Sequence, residues 1–286
     1  MAVEFSSLTL APGVYHTLMP GKTPGPGRVY SSLIVGTEKA LLIDTGYGIG
    51  DYRSYVESLT GLPLIVANTH GHIDHASGNS QFGVAWLNPL DWELADWHTS
   101  LEMRLSSDGS RDYPQELVDG PWEKLALVPG TVFDLGGRTV TAYRCAGHTK
   151  GSMSFLDSRT GLLFTGDNIT RRVLLLGSIH STSLPEFRRT LEETEALNFR
   201  GIVAAHVPYI MPPEWVGRVK KLVDGFDPGK GKPAICLKMD IPGVLPLEYT
   251  VGRDFDDPEY CGFVFDGNHV DEFLERGASE KLSVAQ

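Results

Sequence analysis

Five short apolar runs recur along the chain, and each stops against residues of a different character. Ala40–Ile43 runs into Asp44-Thr45-Gly46, Leu64–Ala67 leads to a cluster that begins at His70, and 140–145 leads to Gly147-His148. The run 162–164 precedes Gly166-Asp167, and 202–205 precedes His206. Runs this short, bounded by Gly, Asp, Asn or Thr, predict buried strands. Functional residues placed just after each strand end then gather along one rim of a sheet. Helical spacing is expected over 89–100, 185–198 and 213–223, the last two opening with a proline near the first turn.

The connections add detail. Residues 86–129 are long for a connection and carry Trp86, Trp92, Trp97 and Trp122, so they are read as a helical insert whose tryptophans either wall the site or pack the insert onto the core. A Pro/Gly loop at 20–27 is a candidate flap. Beyond Pro208 the pattern changes to a helix containing Trp215 and short alternating stretches at 235–239, 248–251 and 262–265, where no residue has ligand spacing. The expected organisation is one α/β core over 1–210, with a helical insert near 86–129, and a C-terminal helix and β-rich appendage over 211–286 packed on it.

Composition narrows the function. With 286 residues, 41% apolar and 21% charged, the chain is of ordinary globular type. No apolar run approaches the ~20 residues of a membrane span, and Glu4 stands where a secretory signal would carry basic residues, so a cytoplasmic location is expected. The net charge of -11 is relieved only by pairs such as Arg171-Arg172 and Lys220-Lys221, which argues against nucleic acid as a partner and for a small-molecule substrate. Cys145, Cys236 and Cys261 form no CxxC pair and are read as buried thiols. A homo-oligomer is compatible with all of this.

The densest chemistry lies in His70-Gly71-His72-Ile73-Asp74-His75. In extended backbone, residues two apart project to one side, so His70 and His72 can hold one metal ion together. Asp74 and His75, past the turn, can face a second ion. Both ions need further ligands, and His148, Asp167 and His206 are available. His148 and His206 are weak signals singly and gain weight by filling vacancies the cluster implies. Asp167 is either a turn residue or a carboxylate placed to bridge two cations.

With these motifs in consistent order over roughly 12–208, the chain resembles the metallo-β-lactamase-fold superfamily. The resemblance implies a four-layer αββα sandwich with His70, His72 and His148 on the first metal, Asp74, His75 and His206 on the second, Asp167 bridging, and Asp44 supporting a ligand histidine from behind. It implies two zinc ions, with iron or manganese tolerated by the same donors, and a metal-bridging hydroxide attacking an ester, thioester or lactone, with Asp74 as the residue that orients the nucleophile or moves a proton. Asp167 in Thr165-Gly166-Asp167 points away from true β-lactamases and towards glyoxalase II and lactonase-like relatives. Ser152, however, replaces a histidine usual in glyoxalase II, and the segment after Asp167 lacks the tyrosine common in lactonases. Arg171, His180 and Tyr209 are candidate substrate contacts, against a surface-loop role for His180 and a packing role for Tyr209. The competing readings are a β-lactam or phosphodiester hydrolase, a mononuclear iron oxygenase of the persulfide dioxygenase type, and a non-catalytic binding protein.

Overall fold

The apolar runs become strands of two facing sheets in the computed structural model, which describes residues 3–21, 28–176, 180–234, 243–253 and 257–275. The first sheet runs in chain order through β1 (Ser6–Ala11), β2 (Val14–Leu18), β3 (Tyr30–Val35), β4 (Ala40–Ile43), β5 (Leu64–Ala67), β6 (Val84–Leu87) and β7 (Glu123–Ala126). It is antiparallel as far as β4 and parallel from β4 onward. The second sheet comprises β8 (Val132–Asp134), β9 (Thr139–Arg144), β10 (Met153–Asp157), β11 (Leu162–Gly166) and β13 (Gly201–Ala204), with β11 and β13 parallel. A third sheet joins β12 (Arg172–Leu175) to the tail strands β14 (Lys232–Pro233), β15 (Pro246–Val251) and β16 (Cys261–Asp266), in the order β12-β16-β15-β14.

Side-chain alternation builds the layers. Ile34, Leu41, Ile43 and Ala67 face Val140, Ala142, Phe155, Phe164 and Val203 across the two sheets. Their neighbours Leu33, Ala40, Leu42 and Val66 turn to the outer face, under Tyr52 and Val56 of helix Tyr52–Leu59. On the far side, Ile202 and Ala204 meet Phe187 and Leu191 of helix Leu184–Glu195 and Val216, Val219 and Val223 of helix Trp215–Asp224. The result is the expected αββα sandwich. Each fully buried Leu, Ile, Val or Phe in it contributes about 1.5–3 kcal/mol.

Several expectations change in detail. The helix expected over 89–100 is a 3₁₀ turn, Pro89–Asp91, followed by helices Trp92–His98 and Leu101–Ser106. The break falls at Ser100, whose side chain accepts from Met103 N and caps the second helix. Trp86 belongs to β6, and the far end of the insert forms β7. The third sheet crosses position 210, because β12 pairs in parallel with β16. The flap residues 22–27, the stretch 235–239 and Cys236 lie outside the described residues. Cys145 and Cys261 are free and buried, and burial pushes their thiols up to about 11 and about 12.

One buried ion pair clasps the two sheets. Arg138, just before β9, donates through Nε and Nη2 to Asp157 at the end of β10 and through Nη1 to the carbonyls of Val35 (3.0 Å) and Gly13 (3.4 Å) in the first sheet. Both side chains are fully buried. Burial alone would raise the Asp157 carboxyl, but donors from Arg138 and Thr160 and the guanidinium charge hold it below the usual carboxylate range. Replacing Asp157 with Asn strands the guanidinium and should cost about 3–5 kcal/mol in urea unfolding at neutral pH. Because the folded value is depressed, this contribution is complete above the unfolded value of about 3.9 and is lost as pH falls through the folded one. The stability gap between wild type and Asp157→Asn should therefore close in acid; an equal gap at neutral and strongly acidic pH would contradict the clasp.

Candidate metal centre

The parallel strands deliver their carboxyl ends to one rim. At the end of β4, Asp44 adopts a left-handed backbone (φ 62°), costly for a residue other than glycine. Three hydrogen bonds offset that strain: its carboxylate accepts from Thr69 N (2.7 Å), Thr69 Oγ1 (2.8 Å) and His75 Nδ1 (2.9 Å). The carbonyl of His75 is held in turn by Thr45 N (2.7 Å) and Asn68 Nδ2 (2.9 Å). The loop from β5 is thus fixed at both ends of the cluster, and the one-turn helix Ile73–Ala76 aims Asp74 and His75 inward.

Hydrogen bonds on the far side of four of the imidazoles, those of His70, His75, His148 and His206, set their tautomers. His148 Nδ1 donates to the Leu174 carbonyl (2.7 Å), His206 Nδ1 to the Arg28 carbonyl (2.6 Å) and His75 Nδ1 to Asp44. The Thr69 hydroxyl gives its proton to Asp44, so its oxygen accepts from His70 Nδ1 at 3.0 Å. In the neutral rings, Nε2 of all four therefore carries a lone pair. The Nε2 atoms of His70 and His148 lie 2.9 and 2.8 Å from His72 Nδ1, where one proton can serve only one of them well. His75 Nε2 and Asp167 Oδ1 are buried, 3.4 Å apart, and neither makes a hydrogen bond. Acceptors converging in this way fit cations and little else.

The donors fall into three overlapping groups whose ligand atoms lie within 4.8 Å of one another: His70, His72 and His148; Asp74, His75 and His206; and His70, His75 and Asp167. Asp167 stands between the first two, with Oδ2 3.0 Å from His206 Nε2 and 3.7 Å from His148 Nε2. Asp74 approaches His75 and His206 Nε2 at 3.6 Å each. The two halves differ electrostatically. Burial, reinforced by neighbouring imidazoles, pushes His70 and His72 well below the usual histidine range. Burial would also lower His75 and His206, but for His75 the carboxylates of Asp74, Asp167 and Asp44 carry it well above that range, and Asp167 and Asp74 raise His206. Burial works to raise Asp167, yet His206 and His75 hold it well below the carboxylate range.

The structure thus brings together His70, His72, Asp74, His75, His148, Asp167 and His206, with Asp44 behind His75. The three candidate substrate contacts fare differently. Arg171 turns away: its guanidinium donates to the Asp257 carbonyl and lies over the Tyr260 ring at 5.9 Å, committed to the tail. Tyr209 is 49% exposed. His180 lies at the rim, its ring 6.4 Å from those of Trp97 and His98. The residues overlooked in sequence are His98, stacked on His72 at 4.9 Å and accepting from Ile73 N, and Asp91. The only advance signal for His98 was its place in the Trp-rich insert. Ser152, in the position where a further histidine stands in glyoxalase II, hydrogen-bonds within its own loop to Thr149.

A two-sheet sandwich with a His/Asp cluster at its carboxyl rim defines a class of proteins that gather cations between strand ends. This chain belongs to the metallo-β-lactamase superfamily, whose sequence pattern matches residues 24–206. It is similar to the acyl-coenzyme A thioesterase MBLAC2 of Bos taurus, 28% identical over 199 residues that cover 62% of this chain and 70% of that protein. The lactamase-like protein ptaB of Pestalotiopsis fici is 32% identical over 167 residues, 56% of this chain and 46% of that one. The atrochrysone carboxyl ACP thioesterase nsrC of Aspergillus novofumigatus is 29% identical over 167 residues, covering 56% of this chain and 44% of its own; the chain spans less than half the length of these two fungal relatives. Among solved structures, a metallo-beta-lactamase from Pontibacter korlensis shares the fold with a TM-score of 0.60 at 17% identity, over 78% of this chain and 100% of that one.

Asp44→Asn tests the support behind the cluster, because Asn tolerates the left-handed backbone while losing the carboxylate. Zinc affinity, measured by competition with a chromophoric chelator, should fall about 10–100-fold. Unchanged affinity would remove Asp44 from the ligand support.

Proposed function

We propose that this hydrolase is a binuclear zinc enzyme that cleaves acyl thioesters. His70, His72 and His148 would hold one ion and Asp74, His75 and His206 the other, with the Asp167 carboxylate between the two groups. The observation that carries this reading is the convergence of Nε2 lone pairs and carboxylates on two adjoining points with Asp167 between them. An imidazole and carboxylate donor set suits zinc. Cations bound there supply an acidified water and polarise the acyl carbonyl.

The chain's own groups do the rest. The Asp74 side chain is 17% exposed while flanked by His75 and His206, so it meets both the second group and incoming solvent and is placed to orient a water and take its proton. A thiol, with an ordinary pKa of about 8.5, departs near neutrality without a strong acid beside it, which suits a site whose proton handling rests on one carboxylate. The thioester assignment draws support from the thioesterases among the relatives. On the substrate side, Trp97 is 56% exposed and meets His98 at 4.7 Å, which stacks on His72. Trp97 and His180 therefore form an aromatic rim one ring removed from the cluster, suited to the apolar part of an acyl or carrier group.

The test is zinc quantification joined to thiol release from acyl-CoA and pantetheine thioesters, with esters, lactones, β-lactams and phosphodiesters as controls. We expect two zinc ions per chain and preferential thioester cleavage, with Asp74→Ala and His148→Ala each losing about 10²-fold or more in kcat. Trp97→Ala should raise KM while leaving kcat and metal content nearly unchanged. A single iron per chain overturns the binuclear reading, and a zinc-loaded protein that cleaves phosphodiesters but no thioester overturns the substrate class.

A further inference from the structure

We propose that Asp91 is a positioning residue for the His70, His72 and His148 group, a carboxylate clamp that fixes the two loops bearing those histidines against each other. The inference rests on reading these three histidines as a cation group. Asp91 is 2% exposed. Its Oδ2 accepts from Gly71 N (3.0 Å), the residue between His70 and His72, and from Thr149 Oγ1 (2.7 Å), the residue after His148. Its Oδ1 accepts from Gly151 N (2.9 Å). One side chain therefore ties both ligand loops to the insert.

Two further observations separate a clamp from an ordinary buried aspartate. Asp91 occupies the N-cap of helix Trp92–His98, where an aspartate usually accepts from the first turn, yet its side chain makes no capping hydrogen bond. Among the described residues, the hydrogen bonds of its side chain all go to the loops. The loops are also shaped to reach it: a Cβ on Gly71 would come within 2.8 Å of the Asp91 carbonyl oxygen, and one on Gly151 within 2.5 Å of Oδ1. Glycine at both places permits the close approach. Three donors converge on two oxygens, so a carboxylate is required; an asparagine would turn an NH₂ group against one of them. Thr149 also bonds Ser152 Oγ at 2.8 Å, which extends the clamp through the loop that follows His148.

The experiment is stepwise zinc titration of the full chain against a chromophoric chelator, for wild type, Asp91→Asn, Asp91→Ala, Thr149→Val and the Asp91→Asn/Thr149→Val double variant. His148→Ala identifies which zinc equivalent belongs to the first group. In the Asp91 variants that equivalent should bind about 10–100-fold more weakly while the other holds its affinity; the melting temperature of the zinc-free protein should fall as well, because Gly71 N, Thr149 Oγ1 and Gly151 N lose their buried acceptor, so the difference between the two equivalents is the diagnostic readout. Thr149→Val should weaken the same equivalent by less, and the double variant should fall short of the sum of its parts. Unchanged affinity overturns the clamp, as does equal weakening of both equivalents. If Asp91→Ala fails to fold, Asp91→Asn and Thr149→Val carry the same comparison. A wild type that takes up no zinc overturns the cation reading and the clamp with it.

Discussion

The Asp44 carboxylate is the point on which the rim depends. It ends β4 in a backbone conformation that costs energy, and it recovers that cost by accepting from the Thr69 amide, the Thr69 hydroxyl and His75 Nδ1. Through Thr69 it also sets the proton on His70. A single anion therefore fixes one ring in each of the two main ligand groups and orients both lone pairs inward. A buried carboxylate without those donors would be costly, so position, tautomer and strain form one interlocked arrangement.

An arrangement so rich in buried polar groups needs a rigid frame. The two sheets supply it, with one face of the central strands in the core and the other under a helix. The Arg138–Asp157 clasp joins the sheets at the end where β9 begins, while Asp44 and the candidate ligands follow the opposite, carboxyl ends of β4, β5, β9, β11 and β13. Polar order is thereby placed at both ends of the sandwich, with apolar packing between. The insert adds a third brace at the rim, through His98 against His72 and Asp91 against both ligand loops.

What could be read in sequence was whatever is local. Each strand and the ligand candidate after it lie within a few residues of one another, so 40–46, 64–75, 162–167 and 202–206 announced both element and chemistry. What could not be read depends on partners far along the chain. Asp91 falls inside the helix expected over 89–100 and carries no local signal of its own; only the fold shows that its acceptors serve Gly71 and Gly151. Arg171 looked like a substrate contact because it follows Asp167, but Asp257, 86 residues on, and Tyr260 just beyond it draw it into the tail. The break at Ser100 had a local signal, a serine ahead of a new turn, that the apolar periodicity of 89–100 concealed.

The tail shows the same principle at larger scale. Sequence marks it as an appendage without ligand spacing, yet β16 pairs in parallel with β12, from Arg172 opposite Gly262 to Leu175 opposite Phe265. β12 is the edge strand of that sheet among the described residues, and an edge strand leaves one row of backbone groups without a ladder partner. Here the Leu174 carbonyl accepts from His148 Nδ1 and thereby fixes the ring that reaches His72 with Nε2. Phe263 and Phe265 hold β16 in the same core as Val173 and Leu175 and the helices behind β13, so the register of a C-terminal strand sets the direction of a histidine more than a hundred residues before it. The third sheet is thus part of the wall of the candidate metal centre, even though none of its own side chains has the spacing of a ligand.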